Sequence, residues 1–210
     1  MASAAERLAS NVNFGAFGKA TELKQRIWFT LAALIVYRLG TYIPIPGVDS
    51  AVLASVFDQS GGAGVLGMFD MFAGGALGRM SIFALNIMPY ISASIIVQLL
   101  TAVVPSFEQM KKDGEAGRKK LNQYTRFGTV FLAAVQSFGL ASGVAGFTGP
   151  DGPAVANPDV IFFVSTMVTI VGGTMFLMWL GEQITARGVG NGISLIIFAG
   201  IVANLPQALA

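Results

Sequence analysis

Histidine and cysteine are both absent from the 210 residues. That excludes thiol nucleophiles, disulfides, histidine general bases and most zinc, haem and iron–sulfur sites. A histidine-dependent intramembrane protease is excluded with them. Charge is also scarce: Asp, Glu, Lys and Arg make up 11% of the chain, against about a quarter in a soluble domain. In their place the chain is 54% hydrophobic, with a mean hydropathy of +0.68. This is the composition of an integral membrane protein. The net charge of +2 is small, so the positions of the charges carry more than their sum. Residues 1–26 are polar and mixed, with no apolar core before a small-residue cleavage site, and do not read as a cleaved signal peptide.

Four charge-poor apolar runs are long enough, or nearly so, to span a bilayer: 27–43, 81–104, 127–147 and 160–181. A fifth, 193–210, is still apolar at Ala210, which leads us to expect the front part of a longer protein. Each suits a spanning helix. The cations set the orientation. Arg7, Lys19, Lys24 and Arg26 precede the first run, and Lys111, Lys112, Arg118, Lys119, Lys120 and Arg126 crowd the segment 105–126. Residues 44–80 hold only Arg79 between the spans, and 148–159 hold no cation. The positive-inside rule puts the N-terminus, the segment 105–126 and the Gly-rich turn 182–192 on the cytoplasmic side. Arg38 then falls near the outer surface, where its stem can carry the charge to water.

Four stretches stand out. "GGAGVLGMFDMFAGG" (61–75) is a short apolar segment bracketed by glycine pairs, with Asp70 inside it. As a helix it covers about 15–20 Å, roughly half of what a hydrocarbon core demands. It either lies flat at the interface or dips into the protein as a re-entrant piece; pattern alone favours the first. "SIFALNIMPYISASIIVQLLTAVV" (81–104) carries Pro89, which predicts a kink, and the polar Asn86, Ser92, Ser94 and Gln98, which seek partners. Ser94 and Gln98 share one helical face, and Ile87 and Ile91 lie beside it; ordinary helix packing explains both. "MWLGEQITARGVGNGISLIIFAG" (178–200) turns through Gly188, Gly190 and Gly192 into the fifth run. Ile193 and Ile197 there repeat the spacing of Ile87 and Ile91. No strand precedes this turn and no Walker lysine follows it, so a phosphate-binding loop is not indicated. The segment "KKDGEAGRKKLNQYTR" reads as a solvated loop with a hairpin tip at Gly114 and Gly117, able to meet a cytoplasmic partner or anionic lipid.

Taken in order, "YRLGTYIPIPGVD", "MFAGGALGRMSIFAL", "IMPYISASIIVQLL", "GEAGRKKLNQYTRFGT" and "GTMFLMWLGEQITARGVGNGISLIIFAGIVANLP" resemble the SecY family over essentially the whole chain. One departure is visible: Asn86 stands where that family usually has glycine. The resemblance implies an all-α polytopic membrane protein with about five transmembrane helices. They form one half of an inverted-repeat channel, with a short re-entrant plug helix at about 62–72. It implies no enzyme activity and no cofactor or metal. The implied function is passage of unfolded polypeptide across the bacterial cytoplasmic membrane, with lateral release of membrane helices into lipid.

The resemblance assigns residues as well. Val65, Leu66, Met68, Phe69, Asp70, Met71 and Phe72 match the plug, which reverses the preference for an interfacial helix. Asp70 then needs water or a partner when the plug is seated. Ile87, Ile91, Ile193 and Ile197 match four members of a hydrophobic pore ring. Ser92, Ile95 and Gln98 match one wall of a lateral gate. Lys111, Lys112, Arg118, Lys119 and Lys120 form a secondary cytoplasmic docking element. The implied partners are SecE and SecG, SecA or a ribosome, signal sequences and nascent chains, membrane lipid, and a C-terminal half of the same subunit. Half of a secondary transporter is the competing reading, but it wants ionisable groups at mid-depth, and the second to fourth runs have none. A purely structural assembly subunit would have no need of a glycine-hinged half-helix beside the second run.

Overall fold

The computed structural model describes residues 21–59, 65–149 and 152–209. They are mostly helical. In chain order the helices are α1 (Thr21–Gly40), α2 (Ser50–Gln59), α3 (Val65–Ala73), α4 (Met88–Val103), α5 (Pro105–Lys112), α6 (Gly114–Ala145), α7 (Val160–Arg187) and α8 (Gly192–Leu209). Between α6 and α7, the two-residue strands β1 (Thr148–Gly149) and β2 (Gly152–Pro153) pair antiparallel. Among the described residues, α6 and α7 are long and apolar enough to cross a membrane, and α4 with α5 makes a third candidate if that bent pair is one span. Helix α1 carries Glu22, Lys24, Arg26 and Arg38 along its length, and α8 is a shorter apolar helix.

Prolines set both ends of α4. Pro89 sits in its first turn, where a missing N–H costs no intrahelical bond and the fixed φ suits the helix. The kink expected at Pro89 is therefore absent: the proline starts the helix. At the other end Val104 is extended (φ −101°, ψ 117°) before Pro105, as a residue preceding proline prefers. The chain bends there by 99° into α5. Helix α5 then folds back on α6, with the rings of Phe107 and Tyr124 5.4 Å apart. The segment 105–126 is thus not the expected loop. It is a helical hairpin turning at Asp113 and Gly114, and α6 continues without a break into the apolar run. Gly114, at φ 69°, takes the turn, and Gly117 lies inside α6.

Helix α6 packs between α4 and α7; α7 also holds α1 and α8, and α3 lies along α8. Two apolar clusters result. One gathers Ile45, Leu53, Leu77, Met80, Val144, Phe162 and Ile170. The other gathers Ala33, Tyr37, Phe83, Ile87, Leu177, Ile184 and Ile196. Large apolar side chains also cover the outside, among them Leu39, Leu99, Phe127, Phe131 and Val168, as hydrocarbon contact requires.

The residues between α3 and α4 form consecutive turns, so the first seven residues of the expected span 81–104 are not helical. They thread between α1 and α7. A Cβ at Gly40 would lie 2.0 Å from Phe83 Cε2, and one at Gly173 would lie 2.1 Å from the Ile82 carbonyl oxygen. Only glycine admits so close an approach. Phe83 stacks between Tyr37 and Phe176, at 6.2 and 5.9 Å. The turns satisfy their own backbone: Ile45 N–H donates to Met80 O (2.9 Å), and Ile82 N–H donates to Ile43 O (3.0 Å). Irregular backbone inside an apolar protein is tolerated on that condition.

Candidate functional site

The site is built around the C-terminal end of α3. A nine-residue helix leaves its last carbonyls without helical partners. Here side chains from three other parts of the chain supply donors. Asn204 Nδ2, on α8, reaches Met71 O at 3.4 Å. Asn86 Nδ2, two residues before α4, donates to Phe72 O at 3.0 Å. Arg38 Nη1, on α1, donates to Gly74 O at 2.9 Å. A cation at a helix C-terminus is also favoured by the helix dipole. Gly200 on α8 allows the approach: a Cβ there would lie 2.9 Å from Phe72 O and 3.0 Å from the Tyr37 hydroxyl.

Three of these residues gain roles that the sequence reading did not assign. Arg38 reaches inward to the half-helix while its Nη2 donates to Tyr42 Oη (3.2 Å); carrying the charge to water is only part of its task. Asn86 sits at φ 49°, a left-handed conformation in which asparagine is among the best tolerated non-glycine residues. That is how asparagine occupies a position where the resemblance leads one to expect glycine. Asn204 belongs to no motif that marks it in the sequence. Its only signal was an amide late in an otherwise apolar run, where a polar group seeks a partner.

Of the plug residues, Asp70, Met71 and Phe72 have described side chains. Those of Val65, Leu66, Met68 and Phe69, and the glycines at 61–64, lie outside the described residues. Asp70 has its partner within its own segment: Gly78 N–H donates to Oδ1 at 2.8 Å, and Gly75 N–H donates to the Asp70 carbonyl at 3.0 Å. The carboxylate therefore ties the half-helix to the turn that follows it. The partner that the carboxylate needs is thus a backbone N–H of that turn. Met71 and Phe72 remain 50% and 41% exposed, so the apolar end of α3 is not fully covered within this chain.

The structure brings Ile87, Ile91 and Ile193 into one apolar cluster with Tyr37, Phe83 and Ile184. Ile87 is fully buried at the start of α4, whereas Ile91 and Ile193 are half-buried. Ile197 is half-buried outside that cluster, and its neighbour Ile196 is the buried member. On α4, Ile95 and Gln98 are exposed and Ser92 is half-buried. Gln98 Nε2 donates to Ser94 Oγ at 3.3 Å, the four-residue pairing expected of one helical face. Ser92 lines an apolar cavity of about 560 Å³ between α4, the turns before it and α6, together with Leu77, Leu85, Met88, Gly139 and Leu140.

A second cavity, of about 460 Å³, is polar and lies between the start of α4, the first part of α6 and the end of α7, lined by Tyr90, Asn122, Arg126, Glu182, Thr185 and Asn191. Arg126 and Glu182 pair across it at 2.5 Å. The cations Lys111, Lys112, Arg118, Lys119 and Lys120 are all exposed on the α5–α6 hairpin. Lys112 pairs with Glu108 one turn earlier, at 2.6 Å.

A half-helix held at one end by side chains from α1, α8 and the entry to α4, in a mostly helical chain with helices long and apolar enough to cross a membrane, defines a helical membrane protein. Residues 81–210 match the family model described as SecY, and the chain belongs to the SecY family. It is 59% identical over 193 residues to the protein translocase subunit SecY of Escherichia coli K12, covering 92% of this chain and 43% of that protein. The chain thus spans less than half the length of this relative. Solved channel structures share the fold, and two of them illustrate it. The Sec61 channel of a canine ribosome–channel complex aligns with a TM-score of 0.63 at 20% identity, over 87% of this chain and 37% of that one. A SecY structure, described as one whose plug domain stabilises the closed channel and maintains a membrane seal, aligns with a TM-score of 0.58 at 21% identity. It covers 89% of this chain and 36% of that one. At such identities these two speak for the fold alone.

Proposed function

We propose that this chain is the N-terminal half of a protein-conducting channel subunit that passes unfolded polypeptides across the bacterial cytoplasmic membrane and releases membrane helices sideways into lipid. The N-terminus is cytoplasmic. Five spans are built on α1, on α4 with the turns before it, and on α6, α7 and α8. Residues 62–72 are the plug. Ile87, Ile91, Ile193 and Ile197 form half of a pore ring whose branched aliphatic side chains offer no hydrogen bonds to a sliding chain and resist water and ions by dewetting. Ser92, Ile95 and Gln98 face a gate seam held by weak polar contacts, each worth about 0.6 kcal/mol. The other wall of the gate belongs to a C-terminal half. SecE and SecG are the membrane partners. SecA or a ribosome works from the cytoplasmic side, where the cations from Lys111 to Lys120 offer a secondary docking surface.

The observation that carries this reading is the seat of α3. A half-helix too short to span is held at one end by α1, α8 and the entry to α4, where Asn86 immediately precedes Ile87. Identity to named translocase subunits supports it. A transporter half has less support, because no ionisable side chain lies in the apolar part of α4, α6 or α7 where coupling would need one.

The test places Ile91→Cys in a complete, otherwise cysteine-free channel and stalls a secretory chain carrying one cysteine. We expect a disulfide only when the stalled chain is present. Absence of the cross-link at every register of the stalled chain, while translocation proceeds, would put the conduit elsewhere.

A further inference from the structure

Asn86 is the most confined of the three donors at the end of α3. It is 4% exposed and stands at a positive φ that most side chains avoid. Only one orientation of its amide suits the surroundings. Nδ2 must face the Phe72 carbonyl, since an amide oxygen there would oppose another acceptor. Oδ1 is then turned away from that carbonyl. Asn86 Oδ1 and the Tyr37 hydroxyl are both buried without a hydrogen-bond partner. Glycine at this position would satisfy the backbone with less strain but would supply no donor. Aspartate would present an acceptor to an acceptor.

We infer that Asn86 is a latch for the half-helix, a positioning residue that ties the Phe72 carbonyl to the backbone entering α4 one residue ahead of Ile87. Because Asn86 and Ile87 are consecutive, the bond ties the seated position of α3 to that of the first residue of the apolar ring. Loss of the Asn86 bond on opening leaves a buried amide and a helix-end carbonyl unpaired, which biases the channel toward the seated state. Arg38 and Asn204 hold neighbouring carbonyls from helices that carry no such link to Ile87.

This inference rests on reading residues 62–72 as a plug, and the experiment separates the two. Resting ion conductance is measured across planar bilayers for the complete channel without a translocating chain. The variants are Asn86→Gly, deletion of 62–72, and both together. Glycine keeps the positive φ, so the backbone remains unstrained. We expect Asn86→Gly to raise the resting leak about five-fold, the factor that corresponds to one net hydrogen bond, and the deletion to raise it further. In the deletion background Asn86→Gly should add nothing, because the latch has nothing left to hold. Unchanged leak in Asn86→Gly, with the deletion leaking, overturns the latch and leaves the plug. Extra leak from Asn86→Gly in the deleted channel overturns it as well. If the deletion itself does not leak, the plug reading falls and the latch falls with it.

Discussion

Replacing Gly173 by alanine would set a methyl group 2.1 Å from the Ile82 carbonyl oxygen, 3.0 Å from its carbon and 3.2 Å from Phe83 Cδ1. Ordinary contact begins near 3.4 Å, so the carbonyl has to retreat by roughly 1 Å, and close-packed interiors do not absorb that freely. No rotamer change can do it, because the obstacle is backbone. Its N–H side is fixed to Ile43, and the Phe83 ring is stacked between Tyr37 and Phe176. Overpacking of this kind costs about 1–3 kcal/mol. Gly172 is the internal control. It is exposed, with nothing within 4 Å of a Cβ, and alanine there gains about 0.5–1 kcal/mol from helix propensity alone. Two adjacent Gly→Ala changes on α7 should thus shift stability in opposite directions. Denaturant midpoints of the complete subunit in micelles, followed by helical circular dichroism, measure this. Because Ile82 lies four residues before Asn86, Gly173→Ala should also raise the resting leak while Gly172→Ala leaves it alone. Equal midpoints for the two variants would refute the idea that the turn segment is wedged against α7.

Gly200→Ala places a methyl 2.9 Å from Phe72 O and 3.0 Å from the Tyr37 hydroxyl; it should unseat α3 and raise resting conductance, and an unchanged single-channel record would show that α8 does not form the seat. Serine at Ile91 or Ile193 puts a hydroxyl into the apolar ring, where dewetting is weakened; leak and export of substrates with defective signal sequences should both rise, and no change in either would reduce these residues to packing. Arg126→Gln removes the ion pair to Glu182, whose side chains are 50% and 35% exposed. The loss should be at most about 1 kcal/mol at low salt and smaller at high salt. A salt-independent loss of several kcal/mol in a chemical-denaturation series would contradict that expectation.

Much of this protein is legible one residue at a time. Scarcity of charge places the chain in a membrane, because hydrocarbon excludes ionised groups regardless of fold. The clustering of lysine and arginine sets an expected orientation through the bias of such residues toward the cytoplasmic side. The length of the run 61–75 shows that it cannot span, since helix rise per residue is constant. The spacing of Ser94 and Gln98 predicts their pairing, because a helical face is a local property.

What sequence could not decide concerns groups brought together from far apart. Pro89 is compatible with a kink or a helix start, and only the threading of the turns between Gly40 and Gly173 makes it a start. The segment 105–126 is polar enough to be a loop; packing of Phe107 on Tyr124 makes it a helical hairpin. Asn86, Arg38 and Asn204 look like isolated polar residues in apolar runs. They become a set only when α1, α8 and the entry to α4 converge on the end of α3. A carbonyl at a helix end must find a donor, but chain order does not say which of many distant donors arrives. Tertiary packing decides that, by delivering three side chains to the carbonyls of Met71, Phe72 and Gly74.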